Sequence, residues 1–202
     1  MPKSVSVTGN RCDKARNNLI IIDNQPKNGV KKKFGICTKQ FTFKKREDTI
    51  KFVEWAEMMR ILGADKIHTF NRFFHPDLQK ISKYYEEQDF LEALPFKEPS
   101  TISNARFHVH SSLFLELSVV NDCFYRVRNL YDYIAILDPD ELFLPVQKND
   151  ENWHDLLKHF VDVPKTDGFA IRSVAYPPGD GKTHDSISKY FYMLQHTQVK
   201  GN

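Results

Sequence analysis

A helix that runs directly into a strand restricts the fold more than any other feature of this chain. Between His110 and Asn129, the residues Leu113, Leu117, Val120, Phe124 and Val127 recur at intervals of four, three, four and three, the spacing of one helical face. The stretch "YDYIAIL", Tyr131 to Leu137, follows at once and reads as a buried strand. Parallel strands need a long crossover, usually a helix, whereas antiparallel strands close with a short turn. A helix placed this way predicts a parallel pair.

The same alternation runs upstream. "KKFGICTKQF" reads as a strand, and Asp48 as the N-cap of a helix from Thr49 to Leu62. In that helix Phe52, Trp55, Ala56, Met59 and Leu62 form a core-facing stripe, and Gly63 stands where the helix should stop. "KIHTFNR", Lys66 to Arg72, is the next strand; Pro76 to Gln88 is a helix opened by Pro and Asp; "DFLEALPF" is a third strand. After Leu137 come a short helix from Asn152 to Phe160, a strand from Gly168 to Val174 and the loop "YPPGDGKTHD". The expected fold class is α/β, a Rossmann-type layered fold with a mostly parallel central sheet flanked by helices.

A length of 202 residues suffices for one sizeable domain, and 41% hydrophobic with 27% charged residues is the balance of a soluble globular protein. The net charge of +3 is small and mixed in sign, which argues against a nucleic-acid partner. The basic clusters at Lys31 to Lys33 and Lys44 to Arg46 read as solvated surface charge. The aliphatic run "LIII", Leu19 to Ile22, is far short of the roughly 20 residues that cross a bilayer, and no signal peptide is visible. Three cysteines, Cys12, Cys37 and Cys123, cannot all pair within the chain. Two arrangements stand open: a Cys12 to Cys37 bridge in an oxidising compartment, or three buried thiols, with Cys123 on the apolar stripe of its helix.

The strand "YDYIAIL" ends in "DPDE", three carboxylates within four positions. In an extended segment residues two apart point the same way, and Pro139 would stiffen Asp138 and Asp140 in that form. Like charges held together call for a cation between them. Hard divalent ions such as Mn²⁺ or Mg²⁺ take oxygen ligands of this kind and are often completed by substrate phosphates. Open α/β sheets bind ligands beyond the carboxyl ends of their strands, where this cluster falls.

The ordered set of motifs resembles glycosyltransferase family 92. It consists of "NDCFYRVRNLYDYIAILDPDELFLP", Asn121 to Pro145, preceded by "PKSVSV", "FGICTKQF" and "TIKFVEWAEMMRILGADKIHTFNR", and followed by "NWHDLL". Asp89 stands where the family pattern leads one to expect glycine. The resemblance implies a single GT-A-like domain over residues 1–202, incomplete at its C-terminus and lacking the membrane anchor of a type II Golgi protein. It implies an inverting transfer of galactose from UDP-galactose to a glycan acceptor. By position, Asp138 and Asp140 would hold the Mn²⁺ (or Mg²⁺) and the donor diphosphate. Asn121, Asp122 and Arg126 would make donor-side contacts or support the acidic loop. An inverting displacement also needs a base, for which Glu141, Asp180 and Asp185 are candidates. His184 and His196 are weaker candidates for the metal shell, and the His108, His110 pair weaker still.

Two other readings compete. A haloacid-dehalogenase-type phosphatase also carries D-x-D after a strand, but near the start of its domain and with a later acidic pair that is missing here. A non-catalytic protein of the same fold would bind a nucleotide sugar or glycan without turning it over. A nicotinamide-binding Rossmann enzyme is disfavoured because no G-x-G-x-x-G follows any strand.

Overall fold

The computed structural model describes residues 2–96, 108–160, 168–171, 174–175 and 191–195. A small antiparallel ribbon, β1 (Ser4–Val5) with β2 (Leu19–Ile20), comes first and is exposed. The core is a four-stranded sheet of β3 (Lys32–Phe43), β4 (Lys66–Phe74), β5 (Leu91–Pro95) and β6 (Tyr131–Ile136), ordered β5-β4-β3-β6. All three pairings are parallel. Helices α1 (Arg46–Ile61), α2 (Pro76–Glu87) and α3 (His108–Val127) make the crossovers. The short α4 (Trp153–Leu157), its 3₁₀ extension Lys158–Phe160 and α5 (Tyr192–Gln195) follow. The expected parallel α/β sheet flanked by helices is the fold observed.

The stripe read for α1 is buried in full: Phe52, Trp55, Ala56, Met59 and Leu62 join Ile36, Phe41, Ile67 and Leu78 in the main core. Asp48 is not the N-cap. That position falls to Lys45, and Asp48, one turn in, accepts the Lys45 backbone N–H at 3.1 Å. A carboxylate in the first turn serves the free amides equally well from inside the helix.

Both upstream helices end the same way. At the end of α1, Gly63 has φ +97°, with Gly63 N–H donating to Arg60 O and Ala64 N–H to Met59 O. At the end of α2, Asp89 has φ +56°, with Asp89 N–H donating to Glu86 O and Phe90 N–H to Tyr85 O. Both are Schellman caps, which need a left-handed residue and so favour glycine. Asp89 is therefore a substitution at a glycine-type position; aspartate is among the few side chains that tolerate it. Its carboxylate bonds Lys66 and Lys32, which hold it at a pKa of about 2.

On the opposite face of the sheet, α3 packs through Val119, Cys123 and Val127. This corrects the stripe expected from sequence, since Leu117 is 61% and Phe124 38% exposed. Two apolar faces compete on this helix, and the one that carries Cys123 prevails because Cys123 is covalently bonded to Cys37 of β3. Neither cysteine arrangement expected from sequence forms; Cys12 is free and exposed. The strand expected over residues 168–174 is not regular at its described positions, where Phe169, Ile171 and Val174 are exposed.

Candidate active site

In chain order the sheet grows from β3 to β4 to β5, then returns through α3 to set β6 on the other side of β3. The order reverses between β3 and β6, the kind of place where open α/β sheets bind ligands beyond the carboxyl ends of their strands. Leu137 N–H still bonds Cys37 O, at 3.2 Å, and then the chain turns. Glu141 N–H donates to Asp138 O at 2.9 Å, and Asp138 N–H donates to a Glu141 carboxylate oxygen at 2.9 Å.

This β-turn replaces the extended arrangement expected for "DPD". Pro139 suits the second turn position as well as it suits a strand, and aspartate favours the first. The Glu141 carboxylate, closing the turn from within, decides between them.

Two buried tryptophans fix the turn in place. An indole N–H inside a core must find an acceptor. Trp55 of α1 donates to Glu141 O at 2.9 Å, and Trp153 of α4 donates to Phe143 O at 2.7 Å. Asn152, the N-cap of α4, accepts from His154 N–H and Asp155 N–H and so sets the start of that helix.

Lys39 faces the turn. Its Nζ lies 2.6 Å from Asp138 Oδ2 and 4.0 Å from Glu116 Oε1 on α3. The hydrogen bond to Asp138 raises the Lys39 pKa above its ordinary value against the effect of burial, and the charges of Asp138, Glu116 and Asp140 add to it. Two carboxylates thus lie within 4.0 Å of one ammonium, and Asp140 adds a third negative charge. The excess of two negative charges equals the charge of one divalent ion.

A bulge presents Lys39 to this cluster. The β3–β4 register passes from Cys37↔His68 to Gln40↔Phe70, so Thr38 and Lys39 together oppose Thr69. The extra residue shifts the alternation of β3: Phe34 and Ile36 share the main core with Phe41 and Phe43. Lys39 O accepts the hydroxyls of Thr38 (3.0 Å) and Thr69 (3.3 Å), which hold the bulge. Bulges concentrate beside functional sites, where they redirect a side chain.

Neither Lys39 nor Glu116 was expected from sequence. Glu116 carried a signal, since it continues the sheet-facing stripe of Val119, Cys123 and Val127 by one turn. Lys39 carried none without knowledge of the strand order.

The other expected residues lie apart. Asn121 donates its side-chain N–H to Leu117 O within its own helix. Arg126 bonds Glu92 Oε2 at 2.8 Å, lies 3.4 Å from Asp122 and covers the ring of Phe70. Asp122 and Arg126 flank Cys123, which is bonded to Cys37, the residue of β3 that pairs with Ile136. No bond described for Asn121, Asp122 or Arg126 reaches the acidic turn.

Arg126 belongs instead to a network with His68, Glu92 and Tyr131. His68 meets Glu92 through Nδ1 at 2.8 Å and the Tyr131 hydroxyl through Nε2 at 2.9 Å. Burial lowers the His68 pKa, so the neutral ring donates to Glu92 and accepts from Tyr131. The His68 hydrogen bond, helped by the charge of Arg126, holds Glu92 at about 2. Gly35 makes room for this network: a Cβ there would stand 2.7 Å from the Tyr131 ring.

Asp180, Asp185, His184 and His196 lie outside the described residues, and His108 and His110 are in the first turn of α3. Among the described residues no group of three or more His, Cys, Asp or Glu could hold a metal ion.

Residues 32–202 match the family model for Glycosyltransferase family 92, from the first residue of β3 onward. The chain belongs to glycosyltransferase family 92. No curated protein and no solved structure matches it. Membership in family 92 points to a glycosyltransferase that uses a nucleotide-sugar donor and a glycan acceptor, and it sets aside the phosphatase reading. Among the described residues of this family 92 chain, no helix is long and apolar enough to cross a membrane.

Proposed function

We propose that this chain is a metal-dependent inverting glycosyltransferase that moves galactose from UDP-galactose onto a glycan acceptor, with Asp138 and Asp140 at the donor diphosphate. The observation that carries this reading is the acidic turn itself: carboxylates in excess at the point where the strand order reverses, clamped by Trp55 and Trp153. Galactose, inversion and UDP follow from the family resemblance.

The donor set fits a hard divalent ion that borrows phosphate oxygens to complete its shell, since the turn offers carboxylates and already draws a cation, Lys39, to 2.6 Å. Asp138 and Asp140 would hold the Mn²⁺ or Mg²⁺. Once bound, the ion would act as a Lewis acid on the departing diphosphate. Glu141 closes the turn through the Asp138 amide, so its carboxylate serves position more than proton transfer. That leaves Asp180 and Asp185 as the preferred candidates for the base that deprotonates the acceptor hydroxyl. The Cys37–Cys123 disulfide supports maturation in an oxidising compartment such as the Golgi lumen.

Calorimetric titration of UDP-galactose with and without Mn²⁺ tests the proposal. We expect Mn²⁺-dependent binding that Asp138→Ala and Asp140→Ala each abolish, and release of UDP when a galactosylated or fucosylated glycan is added. Binding that ignores the metal or survives both substitutions would overturn the assignment. Tight binding without turnover would make the chain a nucleotide-sugar binder.

A further inference from the structure

We propose that Lys39 is a positioning residue for the donor: it holds Asp138 in the free protein and turns to the diphosphate when donor and divalent ion bind. This rests on the donor-binding reading above and assigns a role to a residue that reading does not use.

Three observations support it. The first is location, because Lys39 lies two residues past Cys37, the last residue of β3 that pairs with β6, where the strand order reverses. The second is the bulge, which places an extra residue at this point and fixes its carbonyl by two threonine hydroxyls, Thr38 and Thr69, whose oxygens lie 2.8 Å apart. The third is the side chain's situation. Lys39 and Asp138 remain 36% and 30% exposed, so the pair is reachable from solvent and its members can exchange partners.

The electrostatics set the direction of exchange. An ammonium and a divalent ion cannot share one carboxylate oxygen without strong repulsion. A metal arriving at Asp138 therefore frees Lys39, and the nearest place where a freed cation gains is beside the phosphates that the same metal brings in. A flexible lysine stem allows that movement, and lysine is a common partner of phosphate as a point charge. Glu116, at 4.0 Å, offers the ammonium a second carboxylate when it is unbound from Asp138.

Two ligands with opposite expected responses test this. Lys39→Met should bind Mn²⁺ alone more tightly than wild type, by about tenfold, because a competing cation is gone. The same variant should bind UDP at saturating Mn²⁺ about tenfold more weakly, because a charge-assisted bond to phosphate is lost. Lys39→Arg should keep the UDP affinity. A purely structural lysine would move both affinities the same way or neither. Unchanged Mn²⁺ affinity, or unchanged UDP affinity, in Lys39→Met overturns the role of Lys39. If wild type itself binds neither Mn²⁺ nor UDP, the donor-binding reading falls and Lys39 with it. If wild type binds and Asp138→Ala does not, only the response of Lys39→Met decides.

Discussion

Toward β4 and β5, Glu92 meets His68 and Arg126, and Tyr131 completes the ring of hydrogen bonds. Past the last β3–β6 pair, Asp138 and Glu116 lie within 4.0 Å of the Lys39 ammonium, and the charge of Asp140 acts on it too. The first group is matched in charge and largely enclosed; the second is unmatched and open. Enclosed charges must be paired, because desolvation leaves no other way to offset them. A surplus of one sign persists only where water, or a ligand, can answer it. The difference between them is a difference of purpose: one group joins layers, the other waits for a cation.

The largest expected effect comes from the element beside both groups. The Cys37–Cys123 disulfide spans 86 residues and ties α3 to β3 between the two groups. Replacing both cysteines by alanine should cost about 4–5 kcal/mol by the loop-closure argument. Urea denaturation reads this, and a loss below about 1 kcal/mol would mean that packing alone unites the layers.

Next in size is the enclosed group. Glu92→Gln should destabilise by about 2 kcal/mol, because Arg126 keeps only the more distant Asp122. Folding lowers the Glu92 pKa from 4.5 to about 2, so its contribution is complete above pH 4.5 and fades as pH falls toward 2. His68, also lowered, adds a contribution present above pH 6.5 that weakens on acidification. Stability of the wild type should therefore fall from neutral pH downward, and Glu92→Gln should flatten the part below pH 4.5. A flat wild-type profile would show that the network is not coupled to folding.

The smallest stability effect belongs to the open group. Asp138→Asn should change stability by less than about 0.5 kcal/mol, as for other solvent-reachable ion pairs, while Mn²⁺-dependent UDP binding disappears. A large loss of stability there would erase the contrast between the two groups.

Much of this was legible in the sequence. The stripe of α1, the proline at the start of α2 and the apolar run of β6 each determine an element through local periodicity. The acidic cluster was visible because it interrupts such a run. What was not legible depends on which strands become neighbours. Lys39 matters only because β6 inserts beside β3, and Cys37 finds Cys123 only because α3 crosses that face. The conformation of "DPD" was misjudged for a related reason. Proline permits strand and turn alike, and the deciding bonds come from Glu141 three residues on and from Trp55, far away in sequence.

The unequal count of residues in β3 and β4 between Cys37 and Gln40 bears on any attempt to regularise this protein. Deleting one residue there would give a smoother ladder, the change an engineer seeking heat resistance would try first. It would also rotate everything downstream by half a period, sending Phe41 and Phe43 out of the interior and withdrawing the lysine from its opening. The irregularity is thus a fixed cost of the design, and tidying it would remove the reason the sheet has a working edge.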